Sequence, residues 1–226
     1  MKRKWIAAFL TCVMVFALSV TAFAATPAAT AAQKLDDLGL FQGMGNNADG
    51  TPNYGLDQTP TRAQAVTMLV RLLGKEKEAQ NSSYSAPFTD VADWAKPYVN
   101  YAYKNGLTNG TSATTFGGNA AIKPTEYLTF VLRALGYTDS GSAPDFAWNT
   151  ALAKGMETGV LTAGEHKILT ERPFLRAQVA YLSYFALSAQ MKDGGGTLLD
   201  ALAAGGGVDR AAVGAIISGV TVARIS

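Results

Sequence analysis

Three segments of this 226-residue chain end in amphipathic helices of one design, and that repetition limits the possible folds more than any other feature. The first runs from Thr61-Arg62-Ala63-Gln64 to Gly74, the second from Lys123-Pro124-Thr125-Glu126 to Gly136, and the third from Leu175-Arg176-Ala177-Gln178 to Leu187. Val66, Leu69, Val70 and Leu73 keep helical spacing, as do Leu128, Val131, Leu132 and Leu135, so each helix carries one apolar stripe. Gly74 and Gly136 read as C-terminal stops. Ahead of each helix lies a shorter helical stretch ending in a glycine turn: Leu38-Gly39-Leu40, Asn105-Gly106-Leu107 and Thr158-Gly159-Val160. The spacing from Gly39 to Arg62, Gly106 to Pro124 and Gly159 to Arg176 is 23, 18 and 17 residues. One supersecondary unit is therefore reused with loops of unequal length, and a single unit is too small to bury its apolar stripe alone. The pattern predicts an all-α protein of three packed units over residues 33–75, 84–137 and 143–190.

The two ends of the chain differ from this pattern. Lys2, Arg3 and Lys4 precede an apolar run from Trp5 to Val20, which closes on Ala22-Phe23-Ala24. Charge, length and small-residue exit predict a secretory signal peptide over residues 1–24, cut before Ala25. The competing reading is an uncleaved anchor, because the run approaches the roughly 18–20 residues of a membrane span. The Ala-x-Ala exit and the Ala/Thr/Pro stretch of residues 25–32, read as a linker, favour cleavage and a chain without membrane attachment. Cys12 lies within the leader, so the exported part holds no cysteine, which excludes disulfides and thiolate chemistry there. The 19 Lys plus Arg against 17 Asp plus Glu give a formal +2. Loss of Lys2, Arg3 and Lys4 with the leader turns that into 16 against 17, a formal −1. Nucleic-acid binding thereby loses its compositional support. At the other end, residues 191–226 read as a Gly-rich linker and helical tail. Asp193-Gly194-Gly195-Gly196 is a break, Thr197 to Ala204 a short helix, and Gly205-Gly206-Gly207 a second break. The last stretch starts at Asp209 as N-cap and either docks on the third unit or contacts other envelope proteins.

Phe88-Thr89-Asp90-Val91-x-x-Trp94-Ala95, Gly106-Leu107-x-x-Gly110, Phe116 and the Thr61-Arg62-Ala63-Gln64 helix start with its Leu73-Gly74 end resemble the S-layer homology family. The resemblance covers residues 33 to 190 as three consecutive modules. The first module lacks the Phe-x-Asp-Val opening, and the third has only Asp145-Phe146-Ala147-Trp148 in its place. The resemblance implies a pseudo-threefold helical bundle with grooves between modules. It also implies non-covalent binding of an anionic, often pyruvylated secondary cell-wall polysaccharide linked to peptidoglycan, on a bacterial cell surface or S-layer.

The residues add their own chemistry. Thr61 and Gln64 fit a capping box, each satisfying the other's amide. Arg62 does not fit, because a cation in the first helical turn opposes the helix dipole by about 0.3–1 kcal/mol. Arg176 repeats the placement, followed by Gln178. Two guanidinium groups at one motif position beside helix N-terminal amides predict an anion site. The middle unit departs: Pro124 replaces the arginine, Lys123 offers only a point charge and Glu126 replaces the glutamine. Trp94 either packs in the core or stacks on a sugar with Asp90 bonding its hydroxyls, and Tyr98, Tyr101 and Tyr103 raise the same choice.

An exported cell-wall hydrolase is the rival class and would need a paired acid and base or a metal. The chain has one histidine, His166, and Asp36-Asp37 are neighbours that do not face each other on a helix. No catalytic residue, metal ligand or cofactor is assigned. An envelope scaffold that binds no glycan is the other alternative.

Overall fold

The computed structural model describes residues 22–217 and 222–226. The signal peptide expected over residues 1–24 lies outside them except for its last three positions. Among the described residues the protein is all-α, with no strand and three isolated bridges. The helices are α1 (Ala22–Asp37), α2 (Arg62–Leu72), α3 (Glu76–Gln80), α4 (Lys96–Lys104) and α5 (Pro124–Ala134). They continue as α6 (Ala151–Glu157), α7 (Ala163–Glu171), α8 (Arg176–Ala186), α9 (Leu198–Ala204) and α10 (Arg210–Ile217).

The three repeated helices are α2, α5 and α8, and each begins differently. At α2 the expected capping box forms: Gln64 N–H donates to Thr61 Oγ1 at 3.2 Å, and Thr61 N–H donates to Gln64 Oε1 at 3.0 Å. At α5 Pro124 supplies a preset φ and Glu126 accepts the Lys123 amide at 2.8 Å. At α8 Leu175 has no capping side chain, and Gln178 alone reaches back to its N–H at 2.8 Å. Gly74 and Gly136 end α2 and α5 at φ +64° and +93°, as their sequence position predicts. The three turn glycines, Gly39, Gly106 and Gly159, all sit near φ +70°.

Packing runs in a cycle. α2 of the first unit lies on α4 of the second, α5 of the second on α6 of the third, and α8 of the third on α1 of the first. The long helices also touch one another, with Val66, Leu69, Leu128, Leu132, Val179 and Ala180 fully buried between them. At the centre the Tyr127 hydroxyl meets Ser183 Oγ at 2.6 Å, joining α5 to α8, and burial pushes that phenol up to about 12.

Two features depart from the sequence reading. Residues 25–32, expected to be a linker, are helical in α1. Ala28, Ala31 and Ala32 are buried there because small side chains let α1 approach α8 closely. The tail docks, one of the two readings, but on the first unit and not on the third alone. Leu198, Leu202 and Val208 are buried, Gly207 packs against Gly74, and α10 rests on α1, where Lys34 Nζ donates to the Ile216 carbonyl.

Candidate functional site

The arginines that open α2 and α8 point into the neighbouring unit, so two grooves are built between units. In the first groove the Arg62 guanidinium donates to Glu126 Oε1 at 2.8 Å and to the Asn109 carbonyl at 2.9 Å. It lies 5.1 Å from the ring centroids of both Phe116 and Phe130. Nε is buried with no hydrogen-bond partner among the described residues. Burial holds this guanidinium below the usual arginine range; Glu126 opposes that shift and Arg133 adds to it. Arg133 is itself held bidentately by Asp139 at 2.7 and 2.8 Å. The cavity, about 470 Å³, is lined by Arg62, Asn109, Glu126, Phe130, Arg133, Asp139 and Trp148. Its two arginines meet two carboxylates, so the groove is formally neutral.

The second groove repeats the plan with a different charge. Arg176 Nε donates to the Tyr54 carbonyl at 2.9 Å, and the other two nitrogens reach Met68 Sδ and the Gln42 carbonyl, both at 3.4 Å. Its guanidinium carbon lies 5.5 Å from the Phe41 ring centroid. Gln64 stands at the helix position that Glu126 holds in the first groove. Among the described residues no carboxylate is paired with Arg176. Burial lowers its pKa, and the charge of nearby Arg71 lowers it further. Arg71 pairs with Glu76 at 2.9 Å. Burial alone would raise the Glu76 pKa, but bonds from Tyr98 and Arg71 hold it below the ordinary value. The cavity is about 420 Å³, with Trp94 at its wall. This groove carries one uncompensated positive charge.

Trp94 and Trp148 are 53% and 56% exposed, so neither is a core residue. Tyr98 and Tyr101 are buried, and Tyr103 packs edge-on to Phe88 at 5.0 Å. The loop walls depend on two glycines at one register, Gly43 and Gly110. A Cβ at Gly43 would come within 2.8 Å of the Asn53 carbonyl, and one at Gly110 within 2.6 Å of the Thr115 carbonyl. The matching position in the third unit is Ala163, where the chain enters α7 instead of folding back.

Several expected ligands do other work. The helix N-terminal amides do not face a ligand. Arg62 and Ala63 N–H donate to the Ala120 and Gly118 carbonyls at 2.8 and 3.0 Å, and Arg176 and Ala177 N–H donate to Gln58 and Leu56 at 2.8 and 3.0 Å. These bonds dock one unit on the next, which removes the amide half of the predicted anion site. Thr61 and Gln64 spend their side chains on the cap, although Gln64 also lines the second groove. Lys123 is exposed and lines neither cavity, Glu126 neutralises Arg62, and Gln178 lines a third, smaller cavity beside Glu165 and Tyr181. Asp90 accepts the Phe116 and Gly117 amides at 2.7 and 2.8 Å, so it braces the loop under the first groove. The Phe116 amide bond is the main cause of its lowered pKa, burial opposes it, and the Gly117 amide assists. Its contribution to stability is complete above the ordinary carboxylate pKa near 4 and fades as pH falls through the lowered folded value. Asp90→Ala should therefore cost about 1 kcal/mol in urea denaturation at pH 7, a charged hydrogen bond discounted for exposure. That difference should shrink as pH falls below the ordinary carboxylate range, and an undiminished gap in strong acid would show that the carboxylate charge is irrelevant.

Arg71, Arg133, Trp148, Asn109 and Gln42 were not predicted as site residues. The first two had a signal: an arginine nine residues after the second motif position recurs in two of the three helices. Asn109 and Gln42 act through main-chain carbonyls, which residue type does not reveal. Among the described residues no group of three His, Cys, Asp or Glu is placed to hold a metal ion, and no helix is long and apolar enough to cross a membrane.

Comparison with known proteins places this geometry in context. Residues 87–123, which carry the second unit's opening and the Gly110 loop, match the S-layer homology domain. The chain is 32% identical over 199 residues to a cell surface protein of Thermoanaerobacter kivui, covering 80% of this chain and 26% of that protein. It is 30% identical over 173 residues to the middle cell wall protein of Brevibacillus brevis, covering 70% and 16% of the two chains. A surface layer protein of Brevibacillus choshinensis is 32% identical over 131 residues, covering 57% of this chain and 11% of its own length. The chain thus spans about a quarter or less of each of these relatives.

Proposed function

We propose that this protein holds itself to a bacterial cell surface by binding an anionic secondary cell-wall polysaccharide, non-covalently, in the grooves between three tandem modules. The modules correspond to residues 33–75, 84–137 and 143–190 in a pseudo-threefold arrangement, with residues 1–24 removed on export and residues 191–226 as a tail. The observation that carries the reading is the second groove. Buried Arg176 and half-buried Arg71 line one cavity with exposed Trp94, and its volume of about 420 Å³ suits one or two sugar rings. A guanidinium without a carboxylate partner favours a ligand carboxylate, and an exposed indole offers a flat apolar face to a sugar ring. The near-neutral charge of the exported chain means that the attraction must be local. The cyclic packing and the names of the surface and cell-wall relatives support an anchoring role over a catalytic one.

Retention on purified sacculi tests the reading. The chain should pellet with intact sacculi and remain in solution with sacculi stripped of secondary polysaccharide, and glycan binding should change Trp94 emission. Lys123→Ala should pellet like the unaltered chain, because Lys123 lies outside both grooves. Equal retention on intact and stripped sacculi would overturn glycan binding in favour of an envelope scaffold.

A further inference from the structure

We propose that the third inter-unit groove is a binding site for an extended peptide carrying an arginine followed by an aliphatic residue, and that residues 222–226 occupy it as an internal ligand. The register of the repeats identifies the groove. Glu126 and Thr129 of α5 and Gln64 and Thr67 of α2 line the first two grooves; the matching residues of α8 are Gln178 and Tyr181, which line the third. The second unit has Pro124 where an arginine would enter this groove, and α8 has Phe185 where α2 and α5 carry Arg71 and Arg133. Both positions that supply a guanidinium to the other grooves therefore lack one here, and exposed Arg172 lines the cavity from outside that register.

Arg224 supplies one from the tail. Its guanidinium carbon lies 5.0 Å from the Phe185 ring centroid. Nε donates to Glu165 Oε1 at 3.0 Å, and one terminal nitrogen donates to Glu165 Oε2 at 3.1 Å and to the Val160 and Gly159 carbonyls at 2.7 and 3.3 Å. Every polar partner of the guanidinium in this cradle is an acceptor, one of them the Glu165 carboxylate, which is 3% exposed with the tail in place, so a cation is the ligand the cradle fits. The main chain of the tail is read as well: Ile225 N–H donates to the Tyr181 hydroxyl at 2.9 Å, and the Thr162 hydroxyl donates to the Ile225 carbonyl. Gly164 completes the fit. A Cβ there would overlap the Ser226 carbonyl and lie 2.8 Å from Ile225 Cγ2. With the tail in place only about 50 Å³ of cavity stays open, against about 470 and 420 Å³ in the other two grooves. Two grooves are thus available to an outside ligand, and the third is a peptide site already filled.

Two measurements on the full chain test this without any glycan, so their failure is separate from failure of the anchoring reading. Trypsin cuts after Arg224, and the new end at Arg224 is read by mass. Gly164→Ala, which changes no charge and suits a helix, and Glu165→Gln should each speed this cut at least tenfold while leaving the cut at Arg210 unchanged. A fluorescent peptide with the sequence of residues 222–226 should bind the Arg224→Ala chain at least tenfold more tightly than the unaltered chain, and a peptide with alanine for arginine should not bind. Equal cutting in all three chains, or equal peptide binding with and without Arg224, overturns the proposal. Protection of the Arg224 bond that disappears on dilution assigns the occupant to a second copy and overturns the internal assignment.

Discussion

Arg176→Met is expected to lower retention on intact sacculi roughly a hundredfold, the equivalent of two charge-assisted hydrogen bonds at about 1.5 kcal/mol each. Methionine fills the same apolar surroundings beside Phe41 and Met68, and replacing a buried charge by an apolar side chain of similar volume is often tolerated. Thermal unfolding should therefore shift by only a few degrees. The same change at Arg62 should cost less than tenfold, because Glu126 already compensates that guanidinium and no net charge is left for a ligand. Dissociation constants for a soluble polysaccharide fragment decide the ranking. A larger loss at Arg62 than at Arg176 would show that Glu126 turns away when ligand arrives, and the charge difference between the grooves would then carry no functional meaning.

Phe116→Ala is expected to destabilise the protein by about 3–5 kcal/mol, the range for deleting a fully buried aromatic ring. Phe116 is completely buried, 5.6 Å from Phe88 and 5.1 Å from the Arg62 guanidinium, so the deletion opens the core and loosens a site arginine together. For a chain of this length Tm should fall by roughly 6–20 °C. Trp94→Ala, although it removes a larger ring, should change stability by no more than about 0.5 kcal/mol because half of its surface is already in water. Differential scanning calorimetry of both variants checks the contrast. Comparable losses would mean that Trp94 is structural and would remove it from the proposed sugar contact.

Much of the candidate site was legible because it is periodic. Arg62 and Arg176 stand out in the sequence as cations at the wrong end of a helix, and both line grooves. Their environments were not legible. Nothing local to Arg62 indicates Glu126, which lies 64 residues away and belongs to the next unit. Asp90 illustrates the converse: beside Trp94 it reads as a partner for sugar hydroxyls, whereas in the structure its carboxylate bonds two amides 26 and 27 residues downstream. Trp148 stands in a weaker version of the opening that carries Trp94, yet it is as exposed as Trp94 and lines the first groove.

The sequence by itself determined the helical class, the three repeated helices, the capping box of α2, the glycine stops of α2 and α5, and the turn glycines, because these depend on side-chain periodicity and backbone preferences within a few residues. Only the tertiary structure decided which charges neutralise which, since ion pairs between units join positions that no local pattern relates. It also decided the fate of the ends. Residues 25–32 look like a linker by composition, but their small side chains suit close helix packing. Arg224 looks like one more surface cation until α8 places Phe185 and α7 places Glu165 around it.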